Sequence, residues 1–385
     1  AMVENAVMAA TADGVTSEDV QSAISMAVME AQEGAVTSEQ VQAAVEMAAE
    51  SAAMQVAENS LTAEEIQSIV TAALEERAMM EEVTRETIVF SDLNWTSAQV
   101  QNRIAQYIVE QGYGYPTDTI FGGTLPNFQG LLAGDIHVTL EIWLPNQSLG
   151  WEQAIEVGDV VSVGTSLVGD WQSYFVVPQY IADANPDLRT VEDLKKPEFQ
   201  ELFATADSRG KARLVGCLVE WSCEASGAQQ IVAYGLTDYV EVITPGSGDA
   251  LFADLYAAYD RGDPWLGYMW GTGDPAFELD LFLLEEPPYT KECWDTNKAC
   301  GFSDSLVLVA VHESLLPRAP DVIGMLQNWE FTVPTYFEVL RWMNANEGSE
   351  PRDGAIWFLN NNKVWESWVT PEAAARVNAA LAAES

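Results

Sequence analysis

Gly216-Cys217-Leu218-Val219-Glu220-Trp221-Ser222-Cys223-Glu224 sets a Trp between two cysteines, just ahead of what reads as a helix start. An exposed Trp on a loop is costly without a role. The two cysteines can brace that loop by closing a small ring. The backbone N–H groups of Ser222 and Cys223 would then point out of a helix N-terminus, a ready seat for a negatively charged oxygen. The stretch therefore offers a π-face for a cation beside donors for an anion. The alternative is a stapled turn whose Trp only packs.

Outward from this stretch, the composition sets bounds. The chain has 385 residues, enough for two or three domains and a large core. Its 17 Lys and Arg face 59 Asp and Glu, a net charge of −42. That excludes nucleic acid and an anionic membrane surface as partners, because both require a basic face. It suits solubility in salty surroundings. A hydrophobic content of 48% marks a folded chain rather than an acidic disordered tail. No run of about 18 apolar residues is present, so no transmembrane helix is expected. The N-terminus lacks a basic region followed by an apolar one, as a processed chain also would. The four cysteines form two close pairs, Cys217/Cys223 and Cys293/Cys300, without the CxxC spacing of zinc or redox sites. Two local disulfides in an exported protein is the preferred reading; four free thiols is the other.

Residues 1–86 differ from the rest. Val15-Thr16-Ser17-Glu18-Asp19-Val20-Gln21 recurs as Val36-Thr37-Ser38-Glu39-Gln40-Val41-Gln42 and as Leu61-Thr62-Ala63-Glu64-Glu65-Ile66-Gln67. Each copy is a capping box, with Thr at the N-cap and Asp, Gln or Glu three residues on. Three amphipathic helices are expected, over about 17–33, 38–58 and 63–82, with Val20, Ile24, Ala27 and Val28 on one stripe. They read either as an oligomerisation or docking element, able to self-associate, or as an appendage.

From about residue 87, strands alternate with helices to about 315, which predicts α/β layers with mainly parallel sheets. Thr87–Phe90 and Ile136–Trp143 read as strands, and about 97–111 as a helix broken at Gly112–Pro116. Asp170–Pro178 reads as a strand crossing between two lobes, and Cys300–Ser303 before Leu306–Val311 as the return. Residues 317–385 read as helices, with Trp329, Trp342, Trp357, Trp365 and Trp368 packing.

Little here reads as catalysis. The two histidines, His137 and His312, sit in or at the end of apolar strands and read as structural. No nucleophile elbow, zinc-protease, P-loop or dinucleotide motif is present, and no calcium loop. No catalytic, metal or cofactor residues are assigned. A Trp-lined carbohydrate-active enzyme with paired carboxylates is a distant alternative. Of the 13 Trp, Trp95, Trp143, Trp221 and Trp270 each follow an expected strand, and strand C-termini line the crevice of an α/β fold. Indoles converging there would cage an onium group, each face contributing about 0.5–2 kcal/mol. Core packing is the competing reading for any one of them.

Three segments carry a family resemblance: Gly134 to Pro145; Leu214 to Glu224, preceded by Val191-Glu192-Asp193-Leu194-Lys195-Lys196-Pro197; and Tyr268-Met269-Trp270. Through them, residues 87 to about 370 resemble the substrate-binding proteins of glycine betaine/proline betaine ABC transporters. The resemblance implies a two-lobed periplasmic binding protein-like (type II) α/β fold, here with an extra N-terminal helical segment. Lobe 1 would comprise 87–175 plus 301–385, and lobe 2 residues 176–300. It implies a cage of Trp143, Trp221 and Trp270, with Trp95 as a weaker fourth wall and the amides of Ser222 and Cys223 holding a carboxylate. It also implies a periplasmic location and a membrane permease as partner. Where the family has a His, four residues after the first Trp, this chain has Gln147, a departure that weakens the case for a carboxylate-bearing ligand. Glu141 shares a strand face with Trp143 and is expected beside the cage, where it would favour choline, or trimethylamine N-oxide sharing a proton. Its other reading is a loop cap or an Arg partner. Trimethylamine N-oxide, an abundant osmolyte of salty habitats, is the first ligand expectation; glycine betaine or choline is the alternative.

Overall fold

The structure, a computed structural model, describes residues 85–169 and 173–384. The three expected capping-box helices, and any self-association through them, lie outside the described residues, as do residues 170–172 of the expected crossing.

Runs of β-branched and aromatic residues build ten strands among the described residues, in two five-stranded sheets. The first sheet holds β1 (Ile88–Leu93), β2 (Thr117–Gly122), β3 (Val138–Leu144), β4 (Val160–Ser166) and β10 (Leu306–His312), in the order β2-β1-β3-β10-β4. The second holds β5 (Ser173–Pro178), β6 (Ala212–Val215), β7 (Val240–Ile243), β8 (Gly267–Trp270) and β9 (Leu281–Leu283), in the order β7-β6-β8-β5-β9.

The expectation of mainly parallel sheets holds with one exception in each sheet: four of the five strands run the same way and one is reversed. β1 is parallel to β2 and β3, and β6 to β7 and β8, but β10 runs antiparallel to β3 and β4, and β5 to β8 and β9. The reversed strands are the two that follow a change of sheet. β5 comes after β4 of the first sheet, and β10 returns to the first sheet after β9 of the second. A strand arriving from the other sheet needs no helical crossover and can enter in reverse. Because β5 begins at Ser173, residues 173–175 stand with the second sheet, ahead of the lobe boundary expected at 175.

Six helices position the site. Helix α1 (Thr96–Tyr107) covers the first sheet with Val100, Ile104 and Ala105 fully buried, continues through one π-helical turn (Ile108–Tyr113) and stops at Gly114, whose φ of 75° suits glycine. Helix α2 spans Thr124–Ala133. On the second sheet lie α3 (Ser222–Ala233), α4 (Gly248–Arg261) and the short α5 (Asp274–Glu278). Helix α6 (Val333–Ala345) belongs to the C-terminal helices. There, Trp329, Trp365 and Trp368 are buried, Trp329 and Trp368 lie 4.5 Å apart, and Trp342 stacks on Trp357 at 5.6 Å.

The two sheets and their helices meet along several contacts. Leu125 N donates to Glu220 O at 3.1 Å, and Trp221 Nε1 to Asn94 Oδ1 at 2.7 Å. Thr96 Oγ1 and Tyr336 OH both donate to the Asp274 carboxylate, at 2.9 and 3.0 Å, and Phe277 packs on Phe337 at 4.7 Å. His137 Nδ1 accepts from Val89 N at 2.9 Å and His312 Nδ1 pairs with Ser314 Oγ at 2.8 Å, both local structural roles.

Candidate ligand-binding site

Three of the four indoles singled out in the sequence stand at or within two residues of a strand end, and Trp221 stands at the end of the loop that follows β6. Trp95 is the residue before α1, Trp143 the next-to-last residue of β3, Trp221 the residue before α3 and Trp270 the last of β8. All four line one cavity of about 380 Å³, its open mouth included. Trp221 stands edge-on to Trp95 (centroids 5.5 Å, 83°) and to Trp270 (5.1 Å, 90°). Phe252 of α4 and Tyr268 of β8 back Trp270 at 5.5 and 6.1 Å. Trp95 and Trp143 come from the first sheet, Trp221 and Trp270 from the second, so the walls close only where the two meet.

The N–H edges of three of these rings are bonded within the protein. Trp221 Nε1 binds Asn94, as above, while Trp95 Nε1 and Trp143 Nε1 both donate to Glu141 Oε2, at 2.7 and 2.9 Å. The other oxygen, Glu141 Oε1, accepts from Ser97 Oγ and Gln101 Nε2, each at 2.8 Å. Gln101 Oε1 accepts in turn from Ser166 Oγ and, at 3.1 Å, from Trp329 Nε1. Glu141 is 2% exposed and is not on the cavity wall. Its four hydrogen bonds thus go to Trp95, Trp143, Ser97 and Gln101, with no Arg among these partners. The alternation of β3 gives Glu141 and Trp143 the same face, and Glu141 sits one step deeper, where Ser97 and Gln101 of α1 bond it. Burial pushes its carboxyl up to about 7, against the pull of its four donors.

Ser222 and Cys223 open α3 and line the cavity. The first amides of a helix have no partner within it, so this is a donor end facing the cage. Disulfides join Cys217 to Cys223 and Cys293 to Cys300, with Cα–Cα distances of 5.9 and 6.4 Å. The first closes the ring that carries Trp221, whose N donates to Leu218 O at 3.0 Å.

Four further residues on the wall, Thr124, Asn146, Ser173 and Tyr268, were not picked out as ligand contacts. Tyr268 lay inside a segment that carries the resemblance. Ser173, which pairs with Tyr268 OH at 2.9 Å, lay inside the expected crossing. Asn146 adjoins Gln147, the position compared with the family His. Gln147 itself is off the wall: its Oε1 accepts from Trp143 N at 2.7 Å and braces the turn. Among the described residues, no group of three or more His, Cys, Asp or Glu is placed to hold a metal ion, and no helix is long and apolar enough to cross a membrane.

Two linked α/β lobes with an indole-walled cavity between them define a solute-binding protein. Residues 86–361 match the family model described as the substrate binding domain of the ABC-type glycine betaine transport system, and the chain belongs to this family. It is thus a solute-binding component of an ABC transporter of the glycine betaine type, working with a membrane permease, and not an enzyme. It is similar to the trimethylamine N-oxide-binding protein of Pelagibacter ubique (strain HTCC1062), at 23% identity over 287 residues, covering 73% of this chain and 90% of the relative. It is also similar to the glycine betaine/proline betaine-binding periplasmic protein of Escherichia coli (strain K12), at 31% over 264 residues, 65% and 78% of the two chains. Among solved structures, an ABC-transporter choline binding protein in complex with choline shares the fold, with a TM-score of 0.63 and 21% identity over 77% of this chain and 98% of that one.

Proposed function

We propose that this chain captures a trimethylammonium-type osmolyte, trimethylamine N-oxide first, outside the cytoplasm in the periplasm, and hands it to its permease. The observation that carries the reading is the convergence of Trp95, Trp143, Trp221 and Trp270 on one cavity, with the Glu141 carboxylate behind two of them. Each indole face is worth about 0.5–2 kcal/mol to an onium group. Four of them, with burial of the methyl groups, approach the ~8 kcal/mol of a micromolar complex. The donors at the start of α3 suit the ligand's oxygen.

The N-oxide is preferred because Glu141 lies directly behind Trp95 and Trp143, where its charge opposes a second carboxylate in the cavity. The Pelagibacter relative points the same way. Glycine betaine is the second reading, favoured by the amides of Ser222 and Cys223, which suit a carboxylate, and by the Escherichia coli relative.

Isothermal titration with trimethylamine N-oxide, glycine betaine and choline, side by side, tests this. Tightest binding of the N-oxide is expected. Tighter betaine or choline binding would keep the cage and overturn the ligand preference. No heat from any of the three would overturn the onium reading.

A further inference from the structure

One wall residue has a polar group that the protein itself leaves unused. Asn146 lines the cavity, and its Oδ1 is buried with no hydrogen-bond partner among the described residues. A buried amide oxygen without a partner is unfavourable and uncommon. The turn that carries Asn146 is braced on every side, so the residue is not free to find a partner elsewhere. Trp143 N and Gln147 Oε1 are 2.7 Å apart, and Gln147 N donates to Trp143 O at 3.0 Å. Pro145 O accepts from Ser148 N at 3.1 Å and Ser148 Oγ at 2.9 Å. From the other lobe, Trp294 Nε1 reaches the same oxygen at 3.4 Å. Both neighbours of Asn146 are thus committed to holding the turn, and of the three only Asn146 is on the cavity wall.

We propose that the Asn146 side-chain amide binds the oxygen-bearing end of the ligand and sets which kind of oxygen the site accepts. The inference rests on the onium reading of the cavity. A side-chain amide offers a donor, Nδ2–H, at one end and an acceptor, Oδ1, at the other, and a half-turn of the group exchanges them. An N-oxide or carboxylate oxygen can only accept, so it takes the Nδ2–H end. A hydroxyl, as in choline, can donate to the Oδ1 end. Asn146 therefore reads the ligand's oxygen while the indoles read its methylated nitrogen.

Two variants of similar size separate the roles. Asn146→Asp leaves acceptors only and adds a negative charge; Asn146→Leu leaves neither donor nor acceptor. Wild type and both variants are titrated with trimethylamine N-oxide, glycine betaine and choline, with thermal melts confirming that each is folded. Both variants are expected to lose about tenfold or more in affinity for the N-oxide and betaine. Asn146→Asp is expected to hold or gain affinity for choline and so to shift the preference towards it. Wild-type binding with both variants within about twofold for every ligand would overturn this inference alone. Failure of the wild type to bind any of the three would overturn the onium reading and the inference with it.

Discussion

Glu141 is a buried carboxylate with two oxygens, four donors and no place on the cavity wall. It fixes the Trp95 and Trp143 rings by their N–H edges, and it places a carboxylate at the edges of two rings that line the cavity. For a partly buried pair of opposite charges a few ångströms apart, such an attraction is on the order of 1–4 kcal/mol. Burial sets the carboxyl at about 7, so its ionised fraction changes near neutrality. The ionised form attracts a cation and the protonated form does not. Affinity for trimethylamine N-oxide should therefore rise between pH 6 and pH 8. Glu141→Gln should flatten that rise and bind about tenfold more weakly at pH 8. Titration calorimetry of both proteins at three pH values checks this, and an affinity that falls with rising pH would contradict it.

Elements bring these residues together, and the lobes approach closely where α2 begins. Gly123 has an ordinary φ of −78°, so its backbone does not require glycine. Space does: a Cβ there would stand 2.4 Å from Glu220 Cβ and 2.7 Å from Glu220 Oε2. Glu220 belongs to the disulfide-closed loop of the second lobe, one residue before Trp221. Gly123→Val should leave each lobe folded and prop the cleft open. Ligand affinity should drop about tenfold or more with little change in the melting temperature of the ligand-free protein; unchanged affinity would show that this seam does not close the site. The sequence made the elements around the cage legible because Trp95, Trp143 and Trp270 fall at or beside a strand end and Trp221 just ahead of a helix start, where periodicity gives way. It did not give strand direction, since β5 and β10 alternate like any buried strand whichever way they enter. Period-2 spacing put Glu141 on the face of Trp143 but carries no information on depth beneath α1. Asn146 was missed for a simpler reason: it sits in a turn, which has no period to read.

The whole molecule arranges charge and closure in the same sense. The chain carries a net charge of −42, and the cavity is walled by π-faces, which favour a cation over an anion. The lobes meet on one flank through the Asp274 carboxylate, held by Thr96 and Tyr336, and across the mouth through Leu125 and Glu220. The cage is complete only in that closed arrangement, because each lobe supplies two of its indoles. The central claim is that this cage recognises positive charge on a methylated nitrogen rather than its shape. Calorimetric titration with trimethylamine N-oxide and with tert-butanol, its uncharged near-isostere, tests that claim most directly. The account predicts binding of the N-oxide and affinity for tert-butanol at least about a hundredfold lower; equal affinity for the two, or no binding of the N-oxide, would contradict it.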